Sequence, residues 1–322
     1  MPKREAELYS FASDAFGKPR FGSSRYRCLN ERSGDTAMAQ ITNDLRNPQP
    51  IRKRPKPLPF PLNIWQSAVG RKWVMAITGA GLLGFVLAHM IGNLHVFEGP
   101  AALHEYAEAL RELGGDIIPR TWLLWVLRFG LIAMFGLHIA AAYTTKEISR
   151  KASDNAGFID GAKSYPGGRD YVAANYASRT MRWTGPIILL YLIFHLADLT
   201  WGFIPSTDYV RGDPYGNVAN SLGNLPVAII YIVANVALAL HIFHGAWSLF
   251  QSLGINNPKF NQARRGLAAG LAAVILIGNL SFPILAQAGV IDNDSNPCAS
   301  ETTEEGAVSC FEVILEAEEE GE

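Results

Sequence analysis

Apolar positions gather into five long blocks. Trp73 to Phe97, Phe129 to Thr145, Trp183 to Ala197, Pro214 to Pro258 and Gly266 to Ile291 contain no Asp, Glu, Lys or Arg. None of them alternates apolar and polar residues as a barrel strand does. A helix of about 20 mostly apolar residues spans a bilayer, and only helices or closed barrels satisfy their backbone groups in lipid. The blocks therefore predict an all-α membrane protein with five transmembrane helices at 73–97, 121–144, 182–203, 226–250 and 266–288. The second helix tolerates Arg128 and the third tolerates Asp198.

Polar ends dilute this pattern. The whole chain has 322 residues, 49% hydrophobic and 18% charged, which alone would read as nearly soluble. Residues 1–60 have the composition of a disordered or extended basic lead-in. Met38 is an alternative start within it, and Pro48 to Pro61 is Pro-rich and basic. No cleavable signal peptide is visible, because the first apolar run is too long and too far along. Residues 61–290 make the five-helix domain. The segment 291–322 is an acidic tail whose last 31 residues carry 11 acids and no base, a solvated composition.

Charge in the connections sets the expected orientation. The stretch 52–72 has six bases and no acid, 98–120 has two bases and five acids, and 146–182 has seven bases and four acids. The loop 208–213 has one base and two acids, and 259–265 has three bases and no acid. The alternation predicts a cytoplasmic N-terminus and an outer C-terminus. Of the three cysteines, Cys28, Cys298 and Cys310, the last two fall on the predicted outer side, as a disulfide or as two free thiols.

Seven histidines remain to be explained, and several lie inside the spans. At 1.5 Å per residue, His89 is about 24 Å along the first helix and His195 about 20 Å along the third, both in the outer half. His138 lies about 8 Å from the inner end of the second helix, and His241 and His244 lie about 14 and 9 Å above the inner end of the fourth. An ionisable ring in lipid is costly and marks function by default. The pairing by depth, His89 with His195 and His138 with His241 or His244, suits bis-histidine ligation of two b-type haems stacked within a bundle of four of the five helices. With no Cys-x-x-Cys-His, any haem is held non-covalently. The competing reading is packing histidines bonded between helices. Zinc would want its ligands in one place with sulfur or carboxylate partners. Gly79, Gly81, Gly84, Gly92, Gly136 and Gly245 permit close approach of a macrocycle or of neighbouring helices.

These residues give the chain a resemblance. Lys72-Trp-Val-Met-Ala-Ile-Thr-Gly79, His89-Met-Ile-Gly-Asn-Leu94, Ala177-Ser-Arg-Thr-Met-Arg-Trp-Thr-Gly185 with His195, and His241-Ile-Phe-His-Gly-Ala-Trp-Ser-Leu-Phe-Gln-Ser-Leu-Gly254 resemble the cytochrome b subunit of succinate dehydrogenase/fumarate reductase, of the single-anchor, di-haem b558 type. The likeness covers about 65–290. It implies an integral subunit of the bacterial cytoplasmic membrane that anchors a flavoprotein and an iron–sulfur subunit. Electrons then pass between those partners, two haem b groups and a quinone, often menaquinone. Carried over by position, His89 and His195 would hold the distal haem iron, and His138 and His241 the proximal one. Depth alone favours His244 over His241. Helix tilt moves a depth by a turn, so the family pattern is followed. His244 is then a bonding neighbour of a propionate or quinone, or a packed polar group.

Other polar residues keep two readings. Asp198 is a proton relay for a quinone site, or a helix-end acid reaching headgroup water. Arg128 pairs with a propionate or snorkels to the interface. Arg182, with Arg179, Arg71 and Lys72, contacts proximal propionates or the iron–sulfur subunit, or simply anchors the inner side. His104 lies in a stretch of helical spacing, Leu103 to Leu113, suited to lie on the membrane surface. Rival functions are the cytochrome b of a hydrogenase or formate dehydrogenase, and a His/Asp-dependent metal or proton transporter.

Overall fold

The computed structural model describes residues 56, 58–160, 172–204, 208–255, 257–294 and 296, and leaves aside the side chains of 116, 149–160 and 172–179. Met38 and most of the basic lead-in, all three cysteines, Arg179 and the acidic stretch from 297 onward fall outside this description. The described residues form seven α-helices and no strand: α1 (Ala68–Asn93), α2 (Pro100–Arg111), α3 (Trp122–Asp160), α4 (Val172–Leu199), α5 (Pro214–Gly223), α6 (Leu225–Ser252) and α7 (Asn261–Gln287). Five of these, α1, α3, α4, α6 and α7, are long and apolar enough to cross a membrane.

Local chemistry sets the helix ends. Ser67 accepts from the Gly70 amide at 2.8 Å and starts α1. Asp213 accepts from the Gly216 amide at 2.8 Å, and Pro214 opens α5 where a missing N–H costs nothing. Gly254 and Gly289 take positive φ just past α6 and α7, the usual left-handed stop. Two helices outrun their hydropathy. α3 was expected to end at 144 and continues to Asp160, because Lys, Glu, Ala and Ile after Thr145 favour helix although they are too polar for lipid. α4 starts at Val172, well before 182, and stops at Leu199. The φ of Gly202, +65°, turns the chain there, and the Tyr209 ring packs against it.

The spans pack unevenly. α6 and α7 form the tightest pair, α1 packs on α3, α6 and α7, and α4 leans on α6. α3 and α4 share no comparable contact, so α1, α3, α4 and α6 enclose a cleft open between α3 and α4. Small residues allow the close approaches. A Cβ on Gly81 would lie 2.7 Å from the Met134 sulfur. Asn279 donates to Asn235 at 3.0 Å across α6 and α7, a polar tie of the kind that joins helices in lipid.

α1 begins at what we call the near end, the predicted cytoplasmic one. There Arg264 is buried and donates to the carbonyls of Ile255 and Asn257, pinning the turn between α6 and α7. The far end carries a cap. α2 packs on α5, and α5 in turn on α4, α6 and α7. Gly92 admits the Tyr106 ring at a distance no Cβ would permit. His104, expected on a surface-lying helix, is instead buried under this cap, and burial lowers its pKa. The chain beyond α7 also joins it, although a loose tail was expected from 291. Ile291 is buried, Asn293 donates to Asn220 at 2.6 Å and Asn296 donates to Asp213 at 2.8 Å.

Two predictions concern the cap. Asp213→Ala removes the α5 N-cap and the acceptor of the buried Asn296 amide, a loss of about 1–3 kcal/mol. Faster amide exchange over 210–223, with the spans unchanged, is the expected reading. Glu108 joins Arg111 and Arg120. Burial pushes its carboxyl up, but the hydrogen bond from Arg120 and the charges of both arginines outweigh that and hold it below its ordinary range. A depressed carboxyl stabilises the fold above its ordinary range and loses that contribution as pH falls through the folded value. Proteolysis between α2 and α3 should therefore quicken below pH of about 4, and Glu108→Gln should remove the pH dependence.

Candidate functional site

The cleft brings the histidines together in pairs. The rings of His89 on α1 and His195 on α4 have centres 6.0 Å apart and planes at 81°. Those of His138 on α3 and His241 on α6 are 6.4 Å apart at 65°. His244 is buried three residues on and tilts against Phe243 at 5.1 Å, away from this pairing. His241, not His244, is the ring that faces His138.

Helix register gives the depth of each pair. A Cβ on Gly79 would lie 3.1 Å from the His138 ring, so Gly79 marks the near tier on α1. His89 follows ten residues later, about 15 Å along the helix. On α6, Tyr231 touches His195 and precedes His241 by the same ten residues. On α4, Thr184 bonds His241 and precedes His195 by eleven, about 17 Å. Three helices therefore agree on two tiers about 15 Å apart.

Hydrogen bonding assigns the imidazole protons. His138 Nδ1 lies 3.1 Å from the Met75 carbonyl, which can only accept, so Nδ1 carries the hydrogen. Thr184 spends its own hydrogen on the Thr180 carbonyl at 3.0 Å and therefore accepts from His241 Nδ1 at 3.2 Å. Tyr231 donates to Asp198 at 2.8 Å and accepts from His195 Nδ1 at 3.3 Å. At His89 the Asn93 amide donates to Nε2 at 3.3 Å. His89 therefore keeps its lone pair on Nε2, and the other three rings commit Nδ1–H to their partners, which leaves Nε2 as the nitrogen a metal would take. Those three are oriented from behind through Nδ1, as ligating histidines are; at His89 a metal would displace Asn93.

The spacing fits haem. Two imidazoles sharing one axial metal at about 2 Å each have ring centres roughly 6 Å apart, matching both pairs. Among the described residues no three or more His, Cys, Asp or Glu side chains gather as a polydentate metal site, so the histidines stand as pairs. Gly245, one turn below His241 on the same helix face, has open space where a Cβ would point.

The remaining sequence-selected residues separate. Asp198 is buried, 1% exposed, and its Oδ2 accepts from Ser221 at 2.5 Å and Tyr231 at 2.8 Å. It is not a helix-end acid in contact with water, because α5 covers it. Arg128 is exposed and lies over the Trp125 ring at 5.0 Å, away from the histidine pairs. Arg182 is exposed at the near end. Arg71 donates to the Trp65 carbonyl at 2.7 Å and lies over its ring, an anchoring arrangement.

Sequence reasoning missed the groups behind the rings: Thr78, 3.3 Å from His138 Nδ1, and Thr184, Tyr231, Ser221 and Asn93. Their signal was polarity inside apolar spans, the same signal that singled out the histidines. Searches of family models, curated proteins and solved structures find no match to this chain.

Proposed function

We propose that this chain is the di-haem cytochrome b membrane-anchor subunit of a succinate:quinone oxidoreductase. The observation that carries the proposal is the pair of facing imidazoles at each of two depths, three of the rings bonded from behind through Nδ1. His89 and His195 would hold the far haem, and His138 and His241 the near one. Haem b with both axial positions filled supplies one-electron exchange and no open site for oxygen. The chain's own part is orientation. Met75, Thr78, Thr184 and Tyr231 fix three of the rings, and the spans keep the pairs apart across much of the bilayer.

The enzyme class rests on the resemblance of the four histidine helices, and the expected partners follow from it: a flavoprotein and an iron–sulfur subunit at the near end. Dicarboxylate chemistry belongs to those chains, and the electrons pass to or from a membrane quinone, with menaquinone the first to test. The basic flanks favour a cytoplasmic near end, and the bacterial membrane is an expectation from the resemblance.

A pyridine haemochrome assay on the purified protein, beside a reduced-minus-oxidised spectrum, tests the reading. Two b haems per chain and a copurifying flavoprotein support it. One haem or none in well-folded material overturns it, and a colourless protein favours the transporter. A copurifying nickel or molybdenum subunit moves it to the hydrogenase or formate dehydrogenase class.

A further inference from the structure

The two tiers differ in what stands behind their imidazoles. At the near tier His138 donates to a backbone carbonyl and His241 to a threonine hydroxyl, both neutral groups. At the far tier His195 donates to Tyr231, Tyr231 donates to Asp198 Oδ2, and Ser221 from the cap donates to that same oxygen. Three helices, α4, α5 and α6, contribute to this chain of bonds.

The arrangement is costlier than helix packing demands. Asp198 is fully buried, and its Oδ1 has no hydrogen-bond partner among the described residues. Desolvating a carboxyl group with one oxygen bare is unfavourable, and an amide such as the Asn235–Asn279 pair would join helices without it. Both donors converge on the oxygen that faces Tyr231. Oδ2 polarises the phenol, with Ser221 drawing on the same oxygen, and the polarised phenol is a better acceptor for the imidazole hydrogen. Tyr191 packs edge-on to Tyr231 at 5.3 Å.

We propose that Asp198, acting through Tyr231, is a positioning residue for the far haem: it holds the His195 hydrogen on Nδ1 and strengthens Nε2 as a donor to iron. This rests on the di-haem reading. Outer partners raise the basicity of a ligating histidine, and a more basic axial ligand favours ferric over ferrous iron. The Asp198–Tyr231 pair therefore lowers the far haem's midpoint potential and leaves the near haem untouched.

The test is an optical redox titration of the purified complex, with the far haem identified as the one missing from His89→Ala. Tyr231→Phe and Asp198→Asn should raise the far potential, keep both haems and leave the near potential in place. Ser221→Ala removes the donor that competes with Tyr231 for Oδ2, so it should move the far potential the opposite way, which loosened packing would not do. Thr184→Val should shift the near potential only. If Tyr231→Phe or Asp198→Asn sheds the far haem, the sign of the Ser221→Ala shift decides. Two bound haems with a far potential unmoved, or moving together with the near one, overturn the positioning role alone. A haem-free protein overturns the di-haem reading and this inference with it.

Discussion

On the di-haem proposal, His195→Ala and His89→Ala should each lose the far haem and keep the near one, so the haem-to-protein ratio should halve and one set of b-type bands should disappear. His138→Ala and His241→Ala should lose the near haem and keep the far one. The two tiers lie about 15 Å apart on α1 and α6, and no ring serves both. Each proposed haem would hang on two axial imidazoles from different helices, so removing either member of a pair should cost much of the occupancy. His244→Ala, outside both pairs, should leave the ratio unchanged. If one substitution removes both haems from assembled protein, the pairing is wrong.

Gly79→Leu empties the near tier without touching a ligand. A Cβ at this position already meets the His138 ring at 3.1 Å, and the rest of a leucine side chain would occupy the ring's place. His138 cannot retreat freely. Its single Nδ1 hydrogen is shared by the Met75 carbonyl at 3.1 Å and the Thr78 hydroxyl at 3.3 Å, together worth about 1 kcal/mol. Gly79→Ala requires a displacement of only a few tenths of an ångström, and it should weaken near-haem retention about 10- to 100-fold, the range seen when an outer partner of a metal ligand is lost. The far tier is ten residues away and should report normally in both variants. Haem retained in full by Gly79→Leu would mean that α1 does not approach α3 as closely as described.

The apolar blocks made the five spans legible, because lipid leaves a chain almost no other way to hide that many uncharged residues. The histidine depths followed from helix rise alone. Other features depended on tertiary contacts that no single segment carries. Depth could not choose between His241 and His244, since three residues differ by less than a helical turn; the facing ring of His138 makes the choice. Asp198 looked like an acid at a helix end because nothing in α4 announces that α5 folds over it. The signal for α5 was present in Asp213-Pro214, a capping acid followed by a first-turn proline. It stood at the edge of a charge-free stretch that also contains α6. Arg128 kept two readings because its position along α3 says nothing about azimuth, and its guanidinium lies over the Trp125 ring one turn earlier on the same helix.

The equal interval between tier markers on α1 and α6 constrains how such a chain can change length. One residue inserted between Gly79 and His89 would swing His89 by about 100° around its axis and carry it off the cleft. The stretches between the two levels are therefore closed to insertions and deletions. Beyond Asn93 and before Ala68 the same helix can be extended or trimmed without turning either level. Growth of the molecule is confined to its ends.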